Sequence, residues 1–341
     1  MNDRCENWSR REFVGGLTLA GAAGFVGLNP VPAAAEPLPE TPAVRIDHVP
    51  GVCTAPQYVA EELLRSEGFT DVRYIRYPGV QESNRGLATG EIHFSVKFVG
   101  GWAQALDAGD PIVILAGIHV GCFELFVTSK VRTLSDLKGK TIGITQPGSG
   151  RHVFLVSLLQ HVGLDHRRDV TFATQPRTEA MRLLAEERID AYIAFPPDPQ
   201  ELRANRVGRV LLSTTTDRPW SQYLCCMLAA NREFVHKYPV ATKRAVRAIL
   251  KAATLCSLEP ERTARVLVNK GFESDANYVY AVQALKELPY RRWGDYNPED
   301  AVRFYALRLH EAGMIKSSPQ KIIAQGTDWR FLNEVKKELK G

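Results

Sequence analysis

Short apolar runs alternate with amphipathic stretches along most of this chain. Val44–Val49, Val72–Arg76, Ile92–Phe98 and Pro111–Ile118 read as strands, being rich in β-branched and aromatic residues. Helices are predicted between them, over Ala55–Ser66 with Ala55, Val59 and Leu63 on one face, over a short piece before Leu87, and over Gly100–Ala108. The alternation then recurs. Thr141–Thr145, Val170–Ala173, Ile189–Phe195 and Val207–Ser213 are strand-like, and Arg151–Val162, Thr178–Glu187 and Gln200–Asn205 are helix-like. From Asn231 onward the period is helical. Lys243–Ser257 carries Ala245, Ile249, Ala252 and Cys256 on one face, and Pro260–Asn269, Tyr278–Leu288 and Trp329–Leu339 follow the same rule. Another helix opens at Pro298 and carries Val302, Tyr305, Ala306 and Leu309. Strands alternating with helices at this spacing predict an α/β architecture of doubly wound, mostly parallel sheets. A short internal rhyme supports two similar halves: Leu87-Ala88-Thr89-Gly90-Glu91-Ile92 and Leu184-Ala185-Glu186-Glu187-Arg188-Ile189 both read as helix end, turn and strand.

In such sheets ligands bind at the carboxyl ends of the strands. Those ends bring Cys53 and Thr54, Tyr77, and Lys97 toward a common cleft. Lys97 lies late in an apolar strand, where it serves either as a counter-charge for an anionic ligand or as a solvated strand end. Trp102 either stacks on a planar ligand or packs in the core. Pro147-Gly148-Ser149-Gly150 breaks the strand Thr141–Thr145 and frees backbone N–H groups at the start of a helix, a ready anion site. Ser149 belongs to that loop, and Arg151 and His152 in the first turn would add positive charge. The loop is neither a phosphate-binding Walker A loop nor a dinucleotide fingerprint, because the Gly-Lys-Ser/Thr ending and the G-x-G-x-x-G spacing are missing. An ordinary strand-to-helix turn is the plain alternative. Pro197 sits in the proline-rich loop Phe195–Pro199 at the end of another strand. His119 and Cys122 form an H-x-x-C pair, but further ligands cannot be assigned from sequence, so neither a metal nor another cofactor is expected.

The run Leu134-Ser135-Asp136-Leu137-Lys138-Gly139-Lys140-Thr141-Ile142-Gly143-Ile144, followed by the Gly-Ser loop, resembles the opening of the second lobe in periplasmic solute-binding proteins of ABC importers. The similarity is to the nitrate/sulfonate/taurine/bicarbonate class, which shares its fold with thiamine-pyrimidine-precursor-binding proteins, and it spans roughly Val44 to Phe331. It implies a two-lobed periplasmic-binding-protein fold, with lobe 1 over residues 43–122, lobe 2 over 123–224, and a return to lobe 1 over 225–341 whose helices pack there. Ile118–Val127 and Trp220–Leu228 would be the crossovers, placing His119, Gln222 and Tyr223 near the hinge within reach of a ligand. The implied role is capture of a small anionic solute, a sulfonate, nitrate, carboxylate or heteroaromatic compound. A monomer would deliver it to the transmembrane permease subunits, which work with a cytoplasmic ATPase. No enzymatic step is implied. The alternative is an enzyme on the same fold, related to thiamine-pyrimidine synthases that consume their own histidine and carry a cysteine-rich motif, of which Cys225-Cys226 is a faint echo.

The N-terminus reads as an address. Ser9-Arg10-Arg11-Glu12-Phe13-Val14 looks like a twin-arginine export motif, a Gly/Ala-rich run follows, and Ala33 and Ala35 fit an A-x-A cleavage site. Residues 1–35 are therefore expected to be a signal peptide and 36–42 a linker, with the periplasm as the destination. The formal charge of +5 is mild and there is no long basic run, which argues against nucleic acid as a partner. Five of the six cysteines lie beyond the expected cleavage point and show no C-x-x-C spacing, so they read mainly as small buried residues with room for one disulfide.

Overall fold

The computed structural model describes residues 36–49 and 51–340. The expected signal peptide lies outside the described residues. Leu38–Gly341 form one compact unit.

The strands are β1 (Ala43–Asp47), β2 (Asp71–Ile75), β3 (Phe94–Phe98), β4 (Ile112–Val120), β5 (Glu124–Val127), β6 (Lys140–Ile144), β7 (Val170–Thr174), β8 (Ala191–Ala194), β9 (Arg209–Ser213) and β10 (Leu224–Asn231). The helices of the two strand-bearing halves are α1 (Ala55–Ser66), α2 (Val80–Thr89), α3 (Val99–Asp107), α4 (Gly150–His161), α5 (Arg177–Ala185) and α6 (Asp198–Ala204). The remainder are α7 (Arg232–Lys237), α8 (Pro239–Leu258), α9 (Pro260–Asn269), α10 (Tyr278–Glu287), α11 (Pro298–Glu311), α12 (Pro319–Gly326) and α13 (Arg330–Lys340).

Two five-stranded sheets share one plan. The first has the order β2-β1-β3-β10-β4 and the second β7-β6-β8-β5-β9. In each, the first three strands are parallel and the fourth runs antiparallel to both of its neighbours. That fourth strand is the one the chain enters on crossing from the other sheet: β5 after Gly121–Phe123, and β10 after residues 214–223. The sequence rhyme falls at equivalent places, since α2 leads into β3 and α5 into β8, the central strand of each sheet.

The first crossover differs from the sequence expectation. Ile118–Val127 is not one strand but two, β4 and β5, broken at Gly121–Phe123. Gly121 has φ +72°, and a Cβ there would stand 3.0 Å from Thr215 Cα on the other crossover. Cys122 is itself left of the usual region, with φ +148°. Thr214 Oγ1 accepts the N–H groups of Cys122 (3.0 Å) and Phe123 (2.9 Å) and donates to the Phe123 carbonyl (3.0 Å). One hydroxyl thus satisfies the groups that the broken strand frees. Leaving such buried groups unpaired costs about 1–3 kcal/mol each. In the second crossover, residues 220–222 form a 3-10 turn before β10.

The C-terminal helices cover the first sheet and also reach the second half. α8 lies on α1, with the buried Glu67 carboxylate accepting from Arg247 Nε at 2.8 Å. α11 packs against α3 and α4, and α10 meets α6, where Glu287 accepts from Gln200 (2.8 Å) and Arg203 (2.5 Å). All the apolar positions expected on the buried faces of α8 and α11 are buried. On α1 the buried stripe instead centres on Tyr58, Ala60 and Leu64, because both α8 and α9 pack on this helix.

His93, just before β3, is a buried imidazole stacked on Phe234 at 4.1 Å, and its Nδ1 accepts the Arg45 N–H at 3.2 Å. Burial, and then the Arg45 charge, push its pKa from 6.5 down to about 3. The unfolded chain therefore takes up this proton first as pH falls. The stability that neutral His93 contributes is present above pH 6.5 and is lost as pH drops toward about 3. Urea midpoints measured from pH 7 to 4 should decline, and His93→Gln should flatten that decline.

Candidate functional site

The carboxyl ends of the parallel strands of both sheets face one cleft of about 290 Å³. Val49, Cys53 and Thr54 follow β1, Lys97 and Phe98 end β3, Thr145 to Arg151 follow β6, and Phe195 follows β8. Phe123 enters from the first crossover, and Cys226 from β10. The walls are largely apolar. Phe123 stands edge-on to Phe98 at 5.3 Å and tilted to Phe195 at 5.8 Å, so three rings surround the space.

Two cations reach this cleft, and each rests on a buried carboxylate. Lys97 Nζ lies 3.0 Å from Asp47 Oδ2, donates to Asn84 Oδ1 at 2.9 Å, and also bonds Ser83 Oγ. An ammonium has three donors, and all three are thus engaged within the protein. Burial pushes this ammonium down from its ordinary pKa against the pull of Asp47. Asp47 is 1% exposed and also accepts from Ser83 and Ser95. Arg151 is different. Its Nη2 bonds Asp198 Oδ2 at 3.0 Å and its Nη1 reaches Thr145 Oγ1 at 3.4 Å, but its Nε is buried without a partner. Asp198, wholly buried at the first position of α6, is also bonded by Tyr192 Oη at 2.6 Å and by Arg177. The guanidinium lies 5.0 Å over the Phe195 ring.

The glycine loop builds a helix start. Ser149 is the N-cap of α4: its Oγ accepts from the His152 N–H at 3.4 Å and donates to the Gln146 carbonyl at 2.6 Å. The His152 Nδ1 accepts the Gly148 N–H at 3.1 Å. The first-turn N–H groups of Gly150 and Arg151 have no intrahelical acceptor by position. They stand at the positive end of α4, beside the cleft.

Among the residues expected at the site, Cys53, Thr54, Lys97, Ser149 and Arg151 line this cleft. Thr54 Oγ1 donates to the Gly51 and Val49 carbonyls and so shapes the loop. The other seven lie elsewhere. Trp102 is a core residue, with Nε1 donating to the Met227 carbonyl at 2.9 Å. Tyr77 packs its phenol on Gly86, and burial raises its pKa to about 12. His119 is fully buried behind Cys53, with its ring nitrogens on the carbonyls of Cys53 (3.1 Å) and Val120 (3.0 Å). His152 does not add positive charge: its Nδ1 is an acceptor, its ring stands on Phe172, and burial lowers its pKa. Pro197, which follows a cis peptide bond, caps α6 and carries the chain into Asp198. Gln222 lines a separate hollow at the back of the crossovers with Thr215 and Arg218, and Tyr223 stacks on Phe304 at 4.0 Å.

Sequence reasoning missed Asp47, Asp198, the three phenylalanines and Cys226. Asp47 ends a strand and Asp198 sits in a proline-rich loop, with no spacing that marks either as a partner of a distant cation. Lys97→Met should leave Asp47 buried and unpaired and cost about 3–5 kcal/mol in urea unfolding. Asp47→Asn introduced into that variant should restore part of the loss.

Comparison with known proteins agrees with this architecture. A profile of the NMT1-like family matches residues 38–269. The nitrate import ATP-binding protein NrtC of Synechocystis is 24% identical over 230 residues, 61% of this chain and 34% of that protein, so the chain spans about a third of the relative's length. The periplasmic nitrate-binding protein NrtA of Synechocystis PCC 6803 superposes with a TM-score of 0.74 at 16% identity, over 89% of this chain and 90% of that one. A putative periplasmic sulfonate-binding protein, SsuA of Methylobacillus flagellatus, gives 0.65 at 20% identity over 87% and 94% of the two chains. The aliphatic sulphonate-binding protein SsuA of Escherichia coli gives 0.66 at 17% over 82% and 91%. The fold is thus that of periplasmic binding proteins, and the chain belongs to the NMT1-like family.

Proposed function

We propose that this protein is the solute-binding component of an ABC import system, acting in the periplasm and handing its ligand to a permease driven by a cytoplasmic ATPase. One observation carries the reading. A cleft between two sheets of like plan, joined by two crossovers in contact, is lined by the start of α4 and by Arg151, whose buried Nε has no protein partner. The nitrate- and sulfonate-binding relatives and the NrtC likeness support the same role. Opening and closing would be a hinge motion at Gly121–Phe123 and residues 214–223. Export by the twin-arginine route and a monomeric state belong to this proposal.

The cleft chemistry narrows the ligand. Lys97 is neutralised by Asp47, and Arg151 shares Asp198 with Arg177, so the site offers no large unbalanced positive charge. What remains for an anion is directional: the Gly150 and Arg151 N–H groups and Arg151 Nε. Three phenyl rings favour an apolar or heteroaromatic body. A carboxylate or sulfonate carried on such a body fits better than bare nitrate or bicarbonate. An enzyme that spends its own histidine fits less well, since among the described residues no histidine lines the cleft.

A thermal-shift screen should therefore respond to aromatic or alkyl sulfonates and carboxylates. At a hundredfold excess over Kd the midpoint should rise by roughly 5 °C, with nitrate and bicarbonate leaving it unmoved. For the best ligand, Arg151→Ala should weaken calorimetric binding by ~10-fold or more, the worth of a hydrogen bond to a charged group. Unchanged affinity would remove Arg151 from the site.

A further inference from the structure

Four thiols converge at the back of the cleft. Cys53 lies in the 3-10 turn Val52–Thr54, Cys122 in the first crossover, and Cys225 and Cys226 at the start of β10. All four are free and buried. Cys226 Sγ is 3.9 Å from Cys53 Sγ, 3.9 Å from Cys122 Sγ and 4.0 Å from Cys225 Sγ. Cys122 and Cys225 are 2.8 Å apart. The sulfurs of Cys53, Cys122 and Cys226 all lie within 4.8 Å of one another. Thiolates bound to one ion at ~2.3 Å stand about 3.8 Å apart in a tetrahedral site and about 4.0 Å apart in a trigonal one. The distances from Cys226 to Cys53 and Cys122 are already those of a ligand set.

We propose that Cys53, Cys122 and Cys226 bind a thiophilic d10 metal ion, Zn(II) or Cu(I), with Cys225 or a group entering from the cleft as a fourth ligand. Cys53 and Cys226 line the cavity, which supplies the entry path. The thiol protons would leave on binding. His119 supplies the surroundings: its nitrogens rest on the carbonyl of the ligand Cys53 and on that of Val120, two residues before Cys122. The sequence could not reveal this site, because its ligands come from three distant segments. An ion there ties the turn after β1 to the first crossover and to the strand that follows the second, so it acts on the hinge as well as on the floor of the cleft.

The test is a metal titration of the full chain, prepared with reductant and freed of metal by a chelator. Co(II), as a coloured stand-in for Zn(II), should bind at one equivalent with thiolate-to-cobalt charge-transfer absorption that Zn(II) then abolishes. Cu(I), delivered from a competing chelator, forms the second arm, and the tighter of the two ions distinguishes a three-coordinate from a four-coordinate site. Cys226→Ser should lower affinity at least ~100-fold, beyond what loss of an outer-sphere partner does. Cys256→Ser, which removes a buried thiol of α8 outside the cluster, should leave it unchanged. If Cys226→Ser does not fold, protection of the native thiols from alkylation by bound metal decides instead. No charge-transfer band and no Cu(I) uptake in the native chain overturns the proposal, as does binding that survives Cys226→Ser in a folded variant.

Discussion

The cleft depends on two buried carboxylates, one in each half of the molecule. Asp47 ends β1 and Asp198 opens α6, and they are 1% and 0% exposed. Each holds a cation that would otherwise face an apolar cavity uncompensated. A charge taken out of water without a partner is costly, so the pairing permits Lys97 and Arg151 to reach these positions. The two pairs then diverge. Lys97 spends its three donors on Asp47, Ser83 and Asn84, whereas Arg151 keeps a buried Nε unpaired. The first cation is fully engaged within the protein, and the second keeps one buried donor without a protein partner.

The same economy appears in the fold. In both five-stranded sheets the fourth strand is contributed after the chain crosses over. The crossovers thus run directly from a strand of one sheet into a strand of the other. Gly121 lets them touch, and Thr214 takes up the N–H groups that the break in the strand exposes. The first crossover of this hinge is short, Gly121–Phe123. Motion at it moves the walls of the cleft together: Phe123 follows the break directly, and Cys122 within the break meets the thiols of β10.

Much of the fold was legible because strand and helix periods were clear. The buried faces of α8 and α11 follow directly from apolar spacing, and the Gly-Ser loop announced the start of α4. Helices α7 and α12 were not expected: they are 6 and 8 residues long, and only their caps, Asn231 and Ser318, mark them. The break at Gly121–Phe123 was hidden because its cause, contact with Thr215 and Thr214, comes from the far crossover. The site was less legible than the fold. Loops at strand ends pointed to Cys53, Thr54, Lys97, Ser149 and Arg151, which the structure brings together. Side chains chosen for chemistry alone, Trp102, His119 and Tyr223, satisfy themselves in the core or at the hinge. A partner such as Asp198, 47 residues from Arg151, leaves no mark in a single sequence.

The central claim is that an anionic head group is held at the start of α4 by Arg151 and the first-turn N–H groups, and not by Lys97. The measurement that tests it most directly is a crystal structure with the tightest ligand from a binding screen. The account predicts the charged group within hydrogen-bond distance of Arg151 Nε and the Gly150 or Arg151 N–H, with its body against Phe98, Phe123 and Phe195. A head group seated on Lys97, with Asn84 or Ser83 displaced, would contradict it.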